Sequence, residues 1–206
     1  MLYCLVIAHY KENLDWLRHI PSKYIHVFTK GGRELVKPYK VTYLPNVGRE
    51  SHTYLRYIID SYSELPEIIV FSQGKDDHLS IGKIKQGINT LRDFPERKII
   101  GTISNRKVED LHLTDEFRVN TYNNTSLYPA ELNFCEWFLT NIDPTFDFSK
   151  EMSVFFGASF VIRREMIQRR SREFYEKLSK QLEVSDSPEV GHYFERSWFY
   201  IFNCHI

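Results

Sequence analysis

A short apolar run that ends before a glycine limits, more than any other feature, how this 206-residue chain can fold. Residues 68–71 read Ile-Ile-Val-Phe, and Gly74 follows shortly after them. A continuous apolar run bounded by glycine is typical of a strand buried on both faces, as found in α/β proteins. We therefore predict that this run is a central strand of an α/β sheet.

Two carboxylates and an imidazole, Asp76, Asp77 and His78, come soon after this strand. Open α/β sheets bind ligands beyond the carboxyl ends of their strands. Oxygen ligands with an imidazole suit Mg²⁺ or Mn²⁺, and such an ion can hold a diphosphate. Helix capping is the alternative, because a helix is predicted from about Ser80. We favour a metal site, since two adjacent carboxylates repel each other unless a cation or a donor compensates.

Strand and helix patterns alternate along the first half of the chain. Predicted strands cover 3–8, 24–30, 40–44 and 98–103, and predicted helices cover 13–20, 49–64 and about 81–91. This alternation predicts a mostly parallel central sheet flanked by helices on both faces. The second half is less regular, with a helix predicted over 129–139, a strand over 153–162, and helices near 174–182 and 194–202.

The charge balance excludes some classes of partner. Lys plus Arg (27) equals Asp plus Glu (27), so no net field favours nucleic acid or an anionic membrane. Three cysteines without metal-type spacing fit a reducing compartment better than a disulfide scaffold. The apolar N-terminus lacks a basic segment and is predicted to be a strand, and no stretch approaches membrane-spanning length.

Residues 46–52, Asn-Val-Gly-Arg-Glu-Ser-His, join the third predicted strand to a helix. A helix N-terminus attracts phosphate through its free N–H groups, and Arg49 adds a bidentate donor. We predict that Arg49 contacts the phosphates of a bound ligand. A simple strand–turn–helix joint, with Gly48 in the turn, is the alternative.

Two weaker candidates for ligand binding stand elsewhere. Ala8, His9 and Tyr10 end the first strand at the same sheet edge, where Tyr10 can stack on a base. Gly157 lies among bulky residues, and a small residue there allows a ligand or another backbone to approach closely. Core packing is the alternative in both places.

Residues 189–196, Glu-Val-Gly-His-Tyr-Phe-Glu-Arg, predict a helix with two distinct faces. Glu189, His192 and Arg196 share one face because they are spaced by three or four residues. The opposite face is apolar and carries Phe194, Trp198, Ile201 and Phe202. Such a helix can bury one stripe and direct a carboxylate and an imidazole into a cleft, and a solvated polar face is the alternative.

Four strings in this chain together resemble a known family. They read Ala-His-Tyr-Lys-Glu-(x)₃-Trp-Leu, Leu-Pro-Asn-Val-Gly-Arg-Glu-x-His-x-Tyr-Leu, Val-Phe-x-Gln-Gly with an acidic-His tip, and Gly-His-Tyr-Phe-Glu-Arg-x-Trp. Their order is similar to that in a GT-A-type glycosyltransferase family of bacterial, fungal and viral proteins, whose clearest member is the N-terminal glycosyltransferase domain of a chlorella-virus protein. The resemblance covers nearly the whole chain.

This resemblance implies a GT-A fold, a Rossmann-like nucleotide-sugar-binding architecture. Residues 1–206 would form a single domain that could belong to a longer protein, with 1–103 as the nucleotide-binding half and 104–206 as the acceptor-binding half. An Asp-x-Asp motif in that fold holds the Mn²⁺ or Mg²⁺ that bridges the diphosphate. The spacing at 76–78 departs from the motif, so Asp77 is the expected main ligand, Asp76 the second, and His78 a ligand or the partner of one.

The expected function is transfer of a hexose or deoxyhexose from a UDP-sugar to a hydroxyl of a glycan acceptor, with inversion. The donor would resemble UDP-glucose or a UDP-deoxyhexose, and its uridine would be framed by His9, Tyr10, Thr29 and Lys30. A carboxylate would deprotonate the acceptor. The candidates for that role are Glu189 first, with His192 beside it, then Glu195 or Asp186.

Two other functions stay open. One is a metal-dependent hydrolase of phosphate esters or nucleotide sugars that uses the same acidic edge. The other is a non-catalytic carbohydrate-binding module, which the aromatic content of 15% suggests. We expect no nucleic-acid partner and a cytoplasmic location, in the host cytoplasm if the protein is viral.

Overall fold

A computed structural model of the chain describes residues 2–31, 38–75, 80–111, 113 and 127–202, apart from the side chain of Phe156. The strands in this part are β1 (Tyr3–His9), β2 (Ile25–Thr29), β3 (Lys40–Tyr43), β4 (Ile68–Gln73), β5 (Ile99–Arg106) and β6 (Met152–Arg163). They form one six-stranded sheet in the order β3-β2-β1-β4-β6-β5. The α/β architecture predicted from the sequence is therefore confirmed.

The sheet is mixed, which corrects the prediction of a mostly parallel sheet. β1 is parallel to β2 and to β4, and β2 is parallel to β3. β6, however, runs antiparallel to both of its neighbours, β4 and β5. Alternation of strand and helix patterns identifies which segments are strands, but it does not fix the direction of a strand that follows an irregular segment.

The helices are α1 (Arg49–Ser61), α2 (Ile81–Asp93), α3 (Phe134–Asn141), α4 (Arg164–Ile167), α5 (Arg172–Lys180) and α6 (Glu189–Ile201). The helix predicted over 13–20 is a short 3₁₀ helix, Asp15–His19. The helix predicted from 129 begins at Phe134, because the Asn133 side chain caps it by accepting the Glu136 N–H at 3.0 Å. None of the described helices is long and apolar enough to cross a membrane.

Two apolar cores lie on the two faces of the sheet. In β4, Ile69 and Phe71 enter one core with α1, α3, α5 and α6, and Ile68 and Val70 enter the other with α2. All four side chains are fully buried, as predicted for a strand covered on both faces. Each such side chain contributes about 1.5–3 kcal/mol to stability relative to an exposed position.

Close backbone approaches shape the carboxyl edge of the sheet. A Cβ atom on Gly31, just after β2, would lie 1.5 Å from the carbonyl oxygen of Tyr10, which follows β1. Gly48 adopts φ 61° and donates its N–H to the carbonyl of Ser185 at 2.8 Å. These contacts bring the ends of β1 and β2, the start of α1 and the segment before α6 together at one edge.

Candidate functional site

A cleft of about 410 Å³ opens at this edge, where the carboxyl ends of β1, β2 and β4 face the start of α1. Its walls are formed by Ala8, His9, Tyr10, Glu12, Lys30, Asn46, Arg49, Glu50, Thr53, Gln73 and Asp186. Five of the predicted ligand-binding residues are thus brought together, namely Ala8, His9, Tyr10, Lys30 and Arg49. The cleft also has the position at which α/β sheets bind their ligands.

Two larger cavities lie elsewhere on the molecule. One of about 570 Å³ is lined by α2 and β5, and one of about 680 Å³ is lined by residues of α3, α5 and the segments before α3 and α6. Neither contains a residue predicted from the sequence to bind a ligand or to act in catalysis. We therefore place the candidate site in the smaller cleft.

His9 forms the buried floor of the cleft next to β2. Its Nε2 lies 3.2 Å from the carbonyl oxygen of Glu12, and its Nδ1 lies 2.9 Å from Oγ1 of Thr29. Because a carbonyl oxygen can only accept, Nε2 must carry a proton. Thr29 is buried and reaches the cleft through His9, whereas Tyr10 is exposed at the rim and its ring is accessible.

Lys30 links β2 to the start of α1. Its Nζ donates to the carbonyl oxygens of Val47 and Arg49, on both sides of Gly48. Burial lowers the pKa of Lys30 to about 7, while the nearby Glu50 carboxylate acts in the opposite direction. The Lys30 Nζ therefore holds the turn that begins α1, and Lys30 also lines the cleft.

Arg49 has an unusual backbone conformation, with φ 50°. Left-handed conformations of a residue other than glycine cost about 1–2 kcal/mol and often mark functional sites. The side chain is at the cleft, and its Nη1 lies 3.4 Å from Nε2 of His192. His192 therefore contacts a cleft residue, although it does not line the cleft itself.

The polar face of α6 is buried, so the alternative of a solvated face is wrong. Glu189 is 1% exposed, His192 9% and Arg196 7%. Glu195 lies beside them, with Oε2 2.5 Å from Nη1 of Arg196 and 3.9 Å from Nδ1 of His192. Burial disfavours the charge of Glu195, but His192, Arg196 and the Gly157 N–H outweigh it and hold the pKa of Glu195 at about 2.

Glu189 is not brought to the cleft. Its Oε2 accepts the N–H of Ala130 at 2.8 Å, and its Oε1 accepts the hydroxyl of Tyr193 at 3.1 Å. The backbone of Glu189 also donates to the carbonyl of Tyr128. The contacts of this carboxylate thus attach the segment before α3 to the start of α6.

The predicted metal ligands Asp76, Asp77 and His78 lie outside the described residues. Within the described ranges, no group of three or more His, Cys, Asp or Glu side chains is arranged to hold a metal ion. The metal site therefore stays a prediction from the sequence.

Sequence reasoning missed several residues of the cleft wall. They are Glu12, Asn46, Glu50, Thr53 and Gln73. Glu12, Asn46, Glu50 and Gln73 are named positions of the sequence strings that carried the family resemblance, and each lies within three positions of a residue that was selected. Selecting every polar residue within four positions of a predicted strand end would have found Glu12, Asn46 and Gln73.

Comparisons with known proteins place the chain in a family. Residues 5–205 match the family whose description is "Protein of unknown function (DUF3431)". A search of curated proteins gave no significant match. Among solved structures, CMP:2-keto-3-deoxy-manno-octonic acid synthetase in complex with CTP is similar at a TM-score of 0.40 and 11% identity, over 87% of this chain and 84% of that chain. A TM-score of that size carries no argument about function.

Proposed function

The chain belongs to the DUF3431 family, and we propose from its cleft that it is a glycosyltransferase that takes a hexose or deoxyhexose from a UDP-sugar. The observation that carries the proposal is the pair of basic side chains, Lys30 and Arg49, at the start of α1 beside the carboxyl ends of the strands. A diphosphate is the part of a nucleotide sugar that such a pair would bind. The family resemblance of the sequence strings points the same way.

Three features of the start of α1 favour an anionic ligand. The free N–H groups of a helix N-terminus attract phosphate, and the helix dipole adds to that attraction. Arg49 supplies a planar donor suited to phosphate oxygens. Lys30 is fixed by two carbonyl oxygens and stands at the same wall.

The nucleoside would bind beside the cations, at the ends of β1 and β2. Tyr10 is 42% exposed and offers a ring for stacking on uracil. His9 is held by Thr29 and by the Glu12 carbonyl, so its orientation is fixed before a ligand enters. Asn46 can donate to and accept from the edge of a base or a ribose hydroxyl.

We also propose that a divalent cation, Mn²⁺ or Mg²⁺, binds the protein. Its ligands would be Asp77, Asp76 and His78, as predicted from the sequence. When bound, it would offset the charge that develops on the leaving UDP. Asp186 is our proposed base for the acceptor hydroxyl of a glycan, because it lines the cleft and its carboxylate is exposed. Glu12 is less suited, since its Oε2 already accepts the N–H groups of Tyr10 and Lys11.

A thermal-shift screen of nucleoside diphosphates, with and without Mn²⁺, tests the donor. We expect UDP to raise the midpoint of unfolding, and to do so more strongly with metal, because a ligand that binds only the folded state stabilises it. Arg49→Gln should weaken UDP binding at least tenfold. The matched control is Arg56→Gln, which removes a surface arginine of the same helix that pairs with Asp60 at 2.8 Å. Preference for a different nucleotide, or no shift with any, would contradict the donor assignment.

Product analysis separates transfer from hydrolysis. With a UDP-sugar alone, both a transferase and a hydrolase can release sugar. Only a transferase should release UDP faster when a glycan acceptor is added, with the sugar recovered on the acceptor. Sugar release that is indifferent to every acceptor would favour the hydrolase, and sugar binding indifferent to both UDP and chelator would favour a binding module.

A further inference from the structure

β6, which pairs with the cleft strand β4, contains a large bulge. Between the pairs Gly101↔Phe160 and Ile103↔Phe155, β5 advances two residues while β6 advances five. Two residues of the bulge have left-handed backbones, Gly157 with φ 80° and Ala158 with φ 45°. Glycine adopts this conformation readily, but that of Ala158 persists only because the surrounding contacts impose it.

Three side chains hold the Gly157 backbone, one at its N–H and two at its carbonyl oxygen. Glu195, from α6, accepts its N–H at 2.7 Å. Gln73, the last residue of β4, donates its Nε2 to the Gly157 carbonyl at 3.0 Å, and Ser159 donates to the same oxygen at 3.1 Å. Since that carbonyl can only accept, the amide nitrogen of Gln73 is committed to the bulge. The orientation of this cleft residue therefore depends on the bulge.

The second oxygen of Glu195 reaches another cleft residue through His192. Arg49 Nη1 can only donate, so Nε2 of His192 must accept at their 3.4 Å contact. The ring proton of His192 is then on Nδ1, the nitrogen that faces Glu195 Oε2 at 3.9 Å. A carboxylate behind a histidine fixes the tautomer and the orientation of the ring, and hence of whatever the ring contacts.

We propose that Glu195 is a positioning residue of the cleft, which orients Arg49 through His192 and Gln73 through the Gly157 peptide. Its carboxylate does not line the cleft. Arg196 pairs with this carboxylate, with its Nη1 2.5 Å from Oε2 of Glu195. The inference rests on the proposed binding of a nucleotide diphosphate by Arg49.

The histidine ring gives a test that does not depend on any ligand. Long-range ¹H–¹⁵N correlation spectra should show His192 with its proton on Nδ1, the signal being assigned by its loss in His192→Gln. In Glu195→Gln the tautomer should shift towards Nε2–H, because an amide presents a donor where Nδ1–H needs an acceptor. A wild-type ring protonated on Nε2, or a tautomer unchanged by the substitution, would overturn the proposal.

Nucleotide affinity gives the second test. Glu195→Gln should raise the Kd of UDP roughly tenfold, a typical loss when a supporting partner is removed. The same substitution in an Arg49→Gln background should change it by less than about threefold, because coupled residues are not additive. Glu195→Asp, which keeps the charge, should recover part of the affinity. Glu176→Gln, at a half-buried position of α5 that does not line the cleft, should match wild type.

The two tests distinguish the failure of this inference from that of the proposed function. If the wild-type protein does not bind UDP, the proposed function is wrong, and the His192 tautomer still decides the role of Glu195. If UDP binds and Glu195→Gln weakens UDP binding equally in both backgrounds, Glu195 does not act through Arg49 and the inference is wrong.

Discussion

Arg49 shows at the scale of one residue how a site can be built at a cost to stability. Its backbone is left-handed, and its side chain stands at the cleft beside His192. Residues held in such conformations cluster at binding sites, where the strain is maintained by the surrounding structure. Here Lys30 supplies that restraint, through its bonds to the carbonyls of Val47 and Arg49.

We predict that Arg49→Asn separates stability from binding. Asparagine tolerates the left-handed region, so relief of up to about 1 kcal/mol of strain should keep the unfolding midpoint constant or raise it by roughly 2–4 °C. Affinity for UDP should fall, because the guanidinium is lost. Calorimetry and titration with UDP measure the two effects. A large drop in the unfolding midpoint would show that the Arg49 side chain stabilises the fold.

We expect the Glu189 side chain to contribute to the free energy of unfolding and not to the rate of sugar transfer. In Glu189→Gln, the amide cannot accept from both the Ala130 N–H and the Tyr193 hydroxyl as the carboxylate does, and the loss should be about 1–3 kcal/mol. Chemical denaturation measures it. The matched comparison is Asp186→Asn, which should keep stability and reduce the rate of sugar transfer. The opposite pattern would return Glu189 to the role of base.

The sequence predicted which residues of α6 share a face, but not which of them reaches the cleft. Spacing along the helix placed Glu189, His192 and Arg196 together, and all three are indeed buried on α6. Their partners, however, come from distant segments: Ala130 for Glu189 and Arg49 for His192. Helical periodicity contains no information about those segments, so the roles could not be assigned from it.

At the scale of elements, α2 packs tightly on the sheet through a glycine. A Cβ atom on Gly87 would lie 2.8 Å from Cγ2 of Val161 in β6, whereas one on Gly82 of the same helix would have only Ser80 Oγ nearby, at 4.0 Å. The two glycines therefore differ in how closely the rest of the protein packs against them. One allows helix and strand to approach, and the other lies at an open position of α2.

This difference predicts opposite effects of the same substitution. Gly87→Ala should destabilise the protein by about 1–3 kcal/mol through overpacking. Gly82→Ala should stabilise it by about 0.5–1 kcal/mol, because alanine loses less backbone entropy in a helix. Urea denaturation of the two variants measures both values. Equal effects in the two variants would mean that α2 can move away from β6 without loss.

Most elements could be predicted because each has a local signal. The buried apolar run at β4 and the alternating strand and helix patterns of the first half are such signals, and the elements appear close to where they were expected. The direction of β6 could not be predicted in this way. It depends on pairing with β4 and β5, which are far away in sequence. The bulge at Gly157 was visible only as a small residue among large ones.

At the scale of the whole molecule, two buried histidines determine how stability responds to acid. Burial, together with Lys40, lowers the pKa of His26 to about 4, and burial with Lys30 and Arg56 lowers that of His52 to about 3. Both groups bind protons near pH 6.5 in the unfolded chain. Between those limits the unfolded state holds more protons, so the free energy of unfolding falls as the pH is lowered.

We therefore predict loss of stability as the pH falls from about 6.5 to 4, before the carboxylates contribute. Each histidine adds a slope of up to about 1.4 kcal/mol per pH unit. His26→Gln, which keeps a donor for Thr42, should remove the contribution of His26 to the pH dependence of the free energy of unfolding. His19→Gln, at an exposed position, should leave that pH dependence unchanged. Denaturation at a series of pH values measures the slopes. A flat profile for the wild type would contradict the prediction.

The place of β6 between β4 and β5 has a consequence for how the protein is made. Among the described strands, β5 pairs only with β6, and β4 receives its second neighbour only from β6. During synthesis, β5 therefore leaves the ribosome long before its partner exists, and the apolar edge of β4 stays open for the same time. Such late, long-range pairing slows folding. A nascent chain halted before residue 152 should then recruit chaperones, and one released after residue 202 should not.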